Sequence, residues 1–185
     1  MKQILKNLLI VILGITIGFS ICYIMDRKSE NKTHDIIIHK NIDKDLPPSL
    51  RVYYWINYYS DSLDIPVEYL YGIANTESTW QGPLDFTYKP NVRSSVGALG
   101  PMQIMPSTAK WILGKPVTSK LLANDIQLNV MISAMLVKKL YDKNKDWKLV
   151  FGEYNTGKSI VNSYSDKVYN YQPNWGDSVI VNLNN

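Results

Sequence analysis

The chain has 185 residues, of which 45% are hydrophobic and 19% charged, with a net charge of +4. That composition is ordinary for one globular domain and excludes a low-complexity or disordered chain. The charge is spread out, with 13 Lys and Arg against 11 Asp and Glu from Ser49 onward, so no clustered basic face points to nucleic acid. Cys22 is the only cysteine, which excludes an intramolecular disulfide.

Residues 8–25 carry no charge and are long enough for a membrane-spanning helix. An Ala-x-Ala cleavage site is not evident, so residues 1–25 are expected to be an uncleaved anchor, with a signal peptide as the alternative. Ile21 before Cys22 argues against a lipoprotein site. Lys2 and Lys6 on one side and Arg27, Lys28 and Lys32 on the other barely decide the orientation. Residues 26–48 are polar, mix both charges and end in Pro47-Pro48, which reads as a tether. His34 and His39 both fall there. Without cysteine or further histidine partners they suggest no zinc site, and no metal or cofactor is expected.

From residue 49 to 185 the pattern is helical almost throughout, so the class is mainly α. An amphipathic segment begins at Leu50, and Asp64-Ile65-Pro66 reads as an N-cap followed by Pro in the first turn, starting a helix over 66–78. Further helices are expected at 107–113, 125–143, 146–154 and 163–171, with Ile126, Val130, Ile132, Met135, Leu136 and Leu140 on one face of the longest. No run of alternating strands and no internal repeat is evident.

Three places carry chemistry. Val67, Leu70, Tyr71 and Ala74 form a stripe on the helix after Pro66, and the next step of three or four residues falls on Glu77 or Ser78. A carboxyl there sits in the last helical turn, where the dipole and partial burial both favour the protonated form. From position alone, a surface glutamate at a helix end is the readier reading. The second place is Gly97-Ala98-Leu99-Gly100-Pro101-Met102-Gln103-Ile104-Met105-Pro106, a shaped loop before Ser107. Its glycines let backbone approach a ligand closely, and Gln103 adds an amide. It reads equally as a plain connection with Met102 and Met105 as core fillers. The third is Glu153-Tyr154-Asn155-Thr156-Gly157, a helix end with Gly157 as C-cap. Tyr154 offers a hydroxyl and Asn155 an amide, but each taken singly fits core or turn better than a site.

In combination, Glu77-Ser78, then Gly-x-x-Gly-x-Met-Gln-Ile-Met-Pro-Ser-Thr-Ala, then Tyr-Asn-x-Gly resembles the soluble lytic transglycosylase family, whose domain is similar to goose-type lysozyme. The resemblance spans about residues 53–171 and implies a lysozyme-like domain behind the anchor. It implies that Glu77 is the catalytic acid and base, that Ser78 follows it, and that Met102 and Gln103 line the glycan cleft. It further implies that Tyr154 and Asn155 flank the scissile sugar, with the Tyr154 hydroxyl near the carboxyl, and that Tyr164 on the last helix reaches the same site. The implied partner is peptidoglycan, cut at the MurNAc-GlcNAc β-1,4 bond to leave 1,6-anhydro ends. Such a substrate would place everything after residue 25 outside the cytoplasm at the cell membrane, alone or within an envelope-spanning or phage assembly. Three departures stand out: Pro101 in place of the usual Leu, Glu153 in place of the usual Ala, and a longer interval between Glu77 and Gln103 filled by the aromatic-rich residues 80–90. Two competing readings are a hydrolase using Asp85 or Glu153 as a second carboxylate and a non-catalytic glycan-binding subunit.

Overall fold

The computed structural model describes residues 46–175, and its compact unit begins at Pro47. The expected anchor over 1–25, Cys22, His34, His39 and most of the expected tether lie outside the described residues. No helix among the described residues is long and apolar enough to cross a membrane.

Seven helices follow one another among the described residues: α1 (Pro48–Leu63), α2 (Val67–Ser78), α3 (Pro106–Leu113), α4 (Ser119–Asn124), α5 (Ile126–Asn144), α6 (Trp147–Thr156) and α7 (Ser163–Tyr169). The only ladder-type pairings there are single bridges, Arg93 with Leu99 and Leu99 with Ile104. Pro48, the last residue of the segment expected as tether, already opens α1 with Pro47 before it, a place where a missing N–H costs nothing.

Asp64 does not cap α2 as its sequence position suggests. It closes α1 in the left-handed conformation, its N–H bonded to the Ser60 and Asp61 carbonyls, and α2 starts at Val67 with no side-chain cap. The reason is local: Ile65 N–H binds the Ser60 carbonyl at 2.9 Å and the Ser60 hydroxyl returns to the Ile65 carbonyl, so the turn belongs to the end of α1. Asp125 and Asp146, by contrast, are N-caps, the first accepting from the Leu128 N–H and the second from the Lys148 and Leu149 N–H groups. α4 has no counterpart in the sequence reading. It is six residues long, is capped by Thr118 and buries only Leu122, too little for a periodic stripe.

α5 is the central helix and packs against α1, α3, α4 and α6, while α7 rests on α2 and α6. Burial on more than one side explains why Val130, Ile132, Ala134 and Val137 are all fully buried. It also explains why the two buried polar residues of α5, Asn129 and Ser133, both have partners. Gly152 on α6 lets the following loop cross it, because a Cβ there would sit 1.6 Å from the Ile160 carbonyl oxygen. That crossing brings α7 back over α2.

Residues 80–90 are scaffold at their base. Trp80 is fully buried with its indole N–H on the Ser49 carbonyl at 3.2 Å, and Tyr88 is buried against Ser78. Leu84 and Phe86 are exposed at the tip, as are the polar Gln81, Thr87 and Lys89.

Candidate active site

Glu77 lies one residue before the end of α2, on the stripe continued from Ile73 and Ala74, both fully buried. Its Oε1 accepts a 2.6 Å hydrogen bond from the Tyr164 hydroxyl of α7. Burial pushes the carboxyl above its ordinary value, and the Tyr164 hydrogen bond and the Lys167 ammonium offset this only in part. The helix end adds its negative pole in the same direction as burial.

Tyr164 stacks on Tyr154, the rings 6.5 Å apart and inclined by 12°. The Tyr154 hydroxyl donates to the Met102 carbonyl at 2.7 Å and lies 2.9 Å from the Ser133 hydroxyl. Burial first, and then the nearby Glu77 charge, raise both phenols well above their usual range, so both stay protonated donors.

The loop over 97–105 is shaped by Asn129. Its amide donates to the Leu99 carbonyl at 2.8 Å and the Leu122 carbonyl at 3.0 Å, and accepts from the Met102 N–H at 2.9 Å. Gly100, at φ +77°, is required because a Cβ there would lie 2.4 Å from the Asn129 amide nitrogen. Asn129→Ala would take the partner from the Met102 N–H and the Leu122 carbonyl, while the Leu99 carbonyl keeps the Ile104 N–H, so it should lower unfolding stability by about 3 kcal/mol, read from a denaturant titration.

The structure therefore joins Glu77, Tyr164 and Tyr154 in one cluster and brings Met102 into it through the backbone, the Met102 side chain being fully buried. The hydrogen bond to Glu77 comes from Tyr164, whereas Tyr154 serves the loop. The Gln103 amide nitrogen is occupied by the loop itself, on the Gly100 carbonyl at 2.8 Å and the Val92 carbonyl at 3.2 Å. Ser78 is buried, donates to the Ala74 carbonyl at 3.0 Å and meets the Tyr88 hydroxyl at 2.7 Å. With the Ser78 proton on Ala74, the Tyr88 proton is directed to Ser78, and burial pushes the Tyr88 phenol up to about 12. Asn155 is exposed and accepts from the Asn162 side chain at 3.4 Å.

Asn129 and Ser133 are absent from the sequence reading. Their one signal is that both fall among the apolar residues of α5, where a buried polar side chain needs a partner. The two other carboxylates considered at the sequence level are engaged elsewhere. Glu153 receives the Lys143 ammonium at 2.6 Å, the Asn144 amide at 2.7 Å and the Ser159 hydroxyl at 2.5 Å. Its burial favours the neutral form, but these donors together outweigh that and hold it below the ordinary range. Asp85 accepts from the Thr87 hydroxyl at 2.7 Å and the Thr87 N–H at 3.2 Å, closing its own turn. A cavity of about 610 Å³ lined by Asn57, Asp61, Asp64, Tyr141 and Trp147, among others, contains none of the cluster residues, so volume alone does not mark the site.

Residues 55–174 match the family profile described as the Transglycosylase SLT domain. Among solved structures, the chain is similar to the 70 kDa soluble lytic transglycosylase of Escherichia coli, with 26% identity and a TM-score of 0.50 over 63% of this chain and 18% of that one. The complex of the 70 kDa soluble lytic transglycosylase with bulgecin A gives 26% identity and a TM-score of 0.50 over 64% and 19%. An inactive mutant of the lytic transglycosylase Slt from Pseudomonas aeruginosa gives 23% identity and a TM-score of 0.48 over 57% and 16%. This chain spans less than a fifth of the length of each of these proteins. No curated protein sequence matched it.

Proposed function

From the premise that the chain belongs to the transglycosylase SLT family, we propose that it is a peptidoglycan lytic transglycosylase in which Glu77 acts first as acid and then as base. Protonated Glu77 donates to the oxygen linking N-acetylmuramic acid to N-acetylglucosamine, and the bond from C1 to that oxygen breaks. The acetamido group of the substrate supports the cation that develops. The Glu77 carboxylate then takes the proton of the muramyl C6 hydroxyl as O6 bonds to C1. An anhydro ring closes, Glu77 regains its proton, and no water is consumed.

The observation that carries this reading is a half-buried carboxyl, that of Glu77, in the last turn of α2, which accepts from a phenol, the Tyr164 hydroxyl, at 2.6 Å. Two-carboxylate hydrolysis requires a partner at a set distance across the bond, whereas substrate-assisted chemistry requires one carboxyl. Asp85 and Glu153 have hydrogen-bonded tasks of their own, which weighs against either as that partner. The raised pKa of Glu77 suits an acid that must be loaded before it reacts.

Mass spectrometry of digested peptidoglycan tests the assignment. Anhydromuramyl ends are expected. Reducing muramyl ends would mean hydrolysis, and no cleavage by folded protein would mean a glycan-binding role.

A further inference from the structure

Ser133 belongs to none of the three motifs, yet its fully buried hydroxyl lies 2.9 Å from the Tyr154 hydroxyl. A phenol has one proton, and that of Tyr154 is directed to the Met102 carbonyl at 2.7 Å. The proton in the contact with Ser133 is therefore that of the serine. A serine inside a helix commonly turns back to the carbonyl four residues earlier, as Ser78 does with Ala74. Ser133 instead reaches from α5 to α6.

We propose that Ser133 is a positioning residue for the acid: by donating to Tyr154 it holds that ring flat against Tyr164, which keeps the Tyr164 proton on Glu77. The inference rests on the assignment of Glu77 as acid and base. Two consequences follow from the geometry. With its proton on Met102 and an acceptor position filled by Ser133, Tyr154 is anchored at its hydroxyl and leaves the hydrogen bond to Glu77 to Tyr164. The stack then transmits that anchorage, since the two rings lie within 12° of parallel. Helix α5 is thereby tied to Glu77 through Ser133, Tyr154 and Tyr164 in turn.

A double-mutant cycle on the full chain tests this. Wild type, Ser133→Ala, Tyr154→Phe and the double variant are compared for kcat, KM and the pH dependence of kcat on peptidoglycan strands. Ser133→Ala should lower kcat several-fold, leave KM unchanged and move the alkaline limb upward, because a looser Tyr164 stabilises the carboxylate less. The double variant should be no slower than Tyr154→Phe, since residues that act through one another are not additive. Ser133→Cys, which keeps the volume and a weak donor, should fall between Ser133→Ala and wild type and serves if the alanine variant is poorly folded. Unchanged kcat and pH profile in Ser133→Ala, a loss confined to KM, or losses that multiply in the double variant would overturn the proposal. Glu77→Gln run alongside separates the two levels: if it is inactive while the cycle is additive, only the role of Ser133 fails. If it is active, the assignment beneath it fails.

Discussion

Glu77→Gln should reduce glycan cleavage by more than ~10³-fold while leaving the protein folded and, near neutral pH, more stable than wild type. A positioned acid or base contributes about 10²–10⁴-fold, and here one carboxyl performs both proton transfers, so its loss removes both. Glutamine keeps an oxygen to accept from Tyr164, which preserves the packing between α2 and α7. The gain in stability follows from the direction of the pKa shift. Burial raises the folded-state value of Glu77 above its ordinary 4.5, so between the two values the folded protein binds more protons than the unfolded one. Stability then falls as pH rises through that window. Glutamine has no such dependence. Melting temperatures of the two proteins should converge below the unfolded value and separate as pH rises through the folded one, with the variant higher. Full activity would remove Glu77 from the mechanism, and a variant that melts lower at neutral pH would contradict the burial argument.

The sequence carries much of this arrangement, and unevenly. Helix periodicity places the starts of α5 and α6 within one residue, because an apolar stripe is a local property, and Asp125 and Asp146 cap them there. Asp64 has the same local appearance as those caps but ends α1, because the Ser60 to Ile65 pairing draws the turn into the preceding helix. That pairing has no marker in composition. At the site, the ordered motifs point to Glu77, Tyr154 and Tyr164, but residue type alone does not say which phenol reaches the carboxyl. The division of labour is decided by Met102, whose carbonyl takes the Tyr154 proton across 52 positions of chain. Met102, Ser78 and Gln103 show a related limit. Each falls in a motif, and each turns out to be held by the fold through a buried side chain or through bonds to backbone. Asn129 and Ser133 are the converse, polar residues that an apolar stripe hides. Buried polar positions on a helix with several packed faces are where sequence reading loses most, because their partners come from distant segments.

That division of labour leads to the second large effect. Tyr164→Phe removes the one hydrogen bond that Glu77 receives from a phenol and leaves the Tyr154 bond to Met102 in place. A hydrogen bond to a charged group is worth ~1.5–3 kcal/mol. The carboxylate forms only after the acid has donated, so the loss falls on the reacting state and kcat should drop by about tenfold or more. The pH profile should move in the opposite sense to simple damage. The Tyr164 bond lowers the Glu77 pKa against the effect of burial, so removing it lets burial raise the pKa further. An enzyme that needs protonated Glu77 loses activity as pH rises through that value, and the alkaline limb of Tyr164→Phe should therefore lie at higher pH than that of wild type. Tyr154→Phe loosens the donor to Glu77 but does not remove it, and should move the limb less than Tyr164→Phe does. A downward shift in Tyr164→Phe, or a larger upward shift in Tyr154→Phe, would assign the carboxyl to the wrong phenol. The lower maximum rate combined with the higher limb distinguishes loss of a carboxylate donor from loss of fold, which would lower the rate without moving the limb.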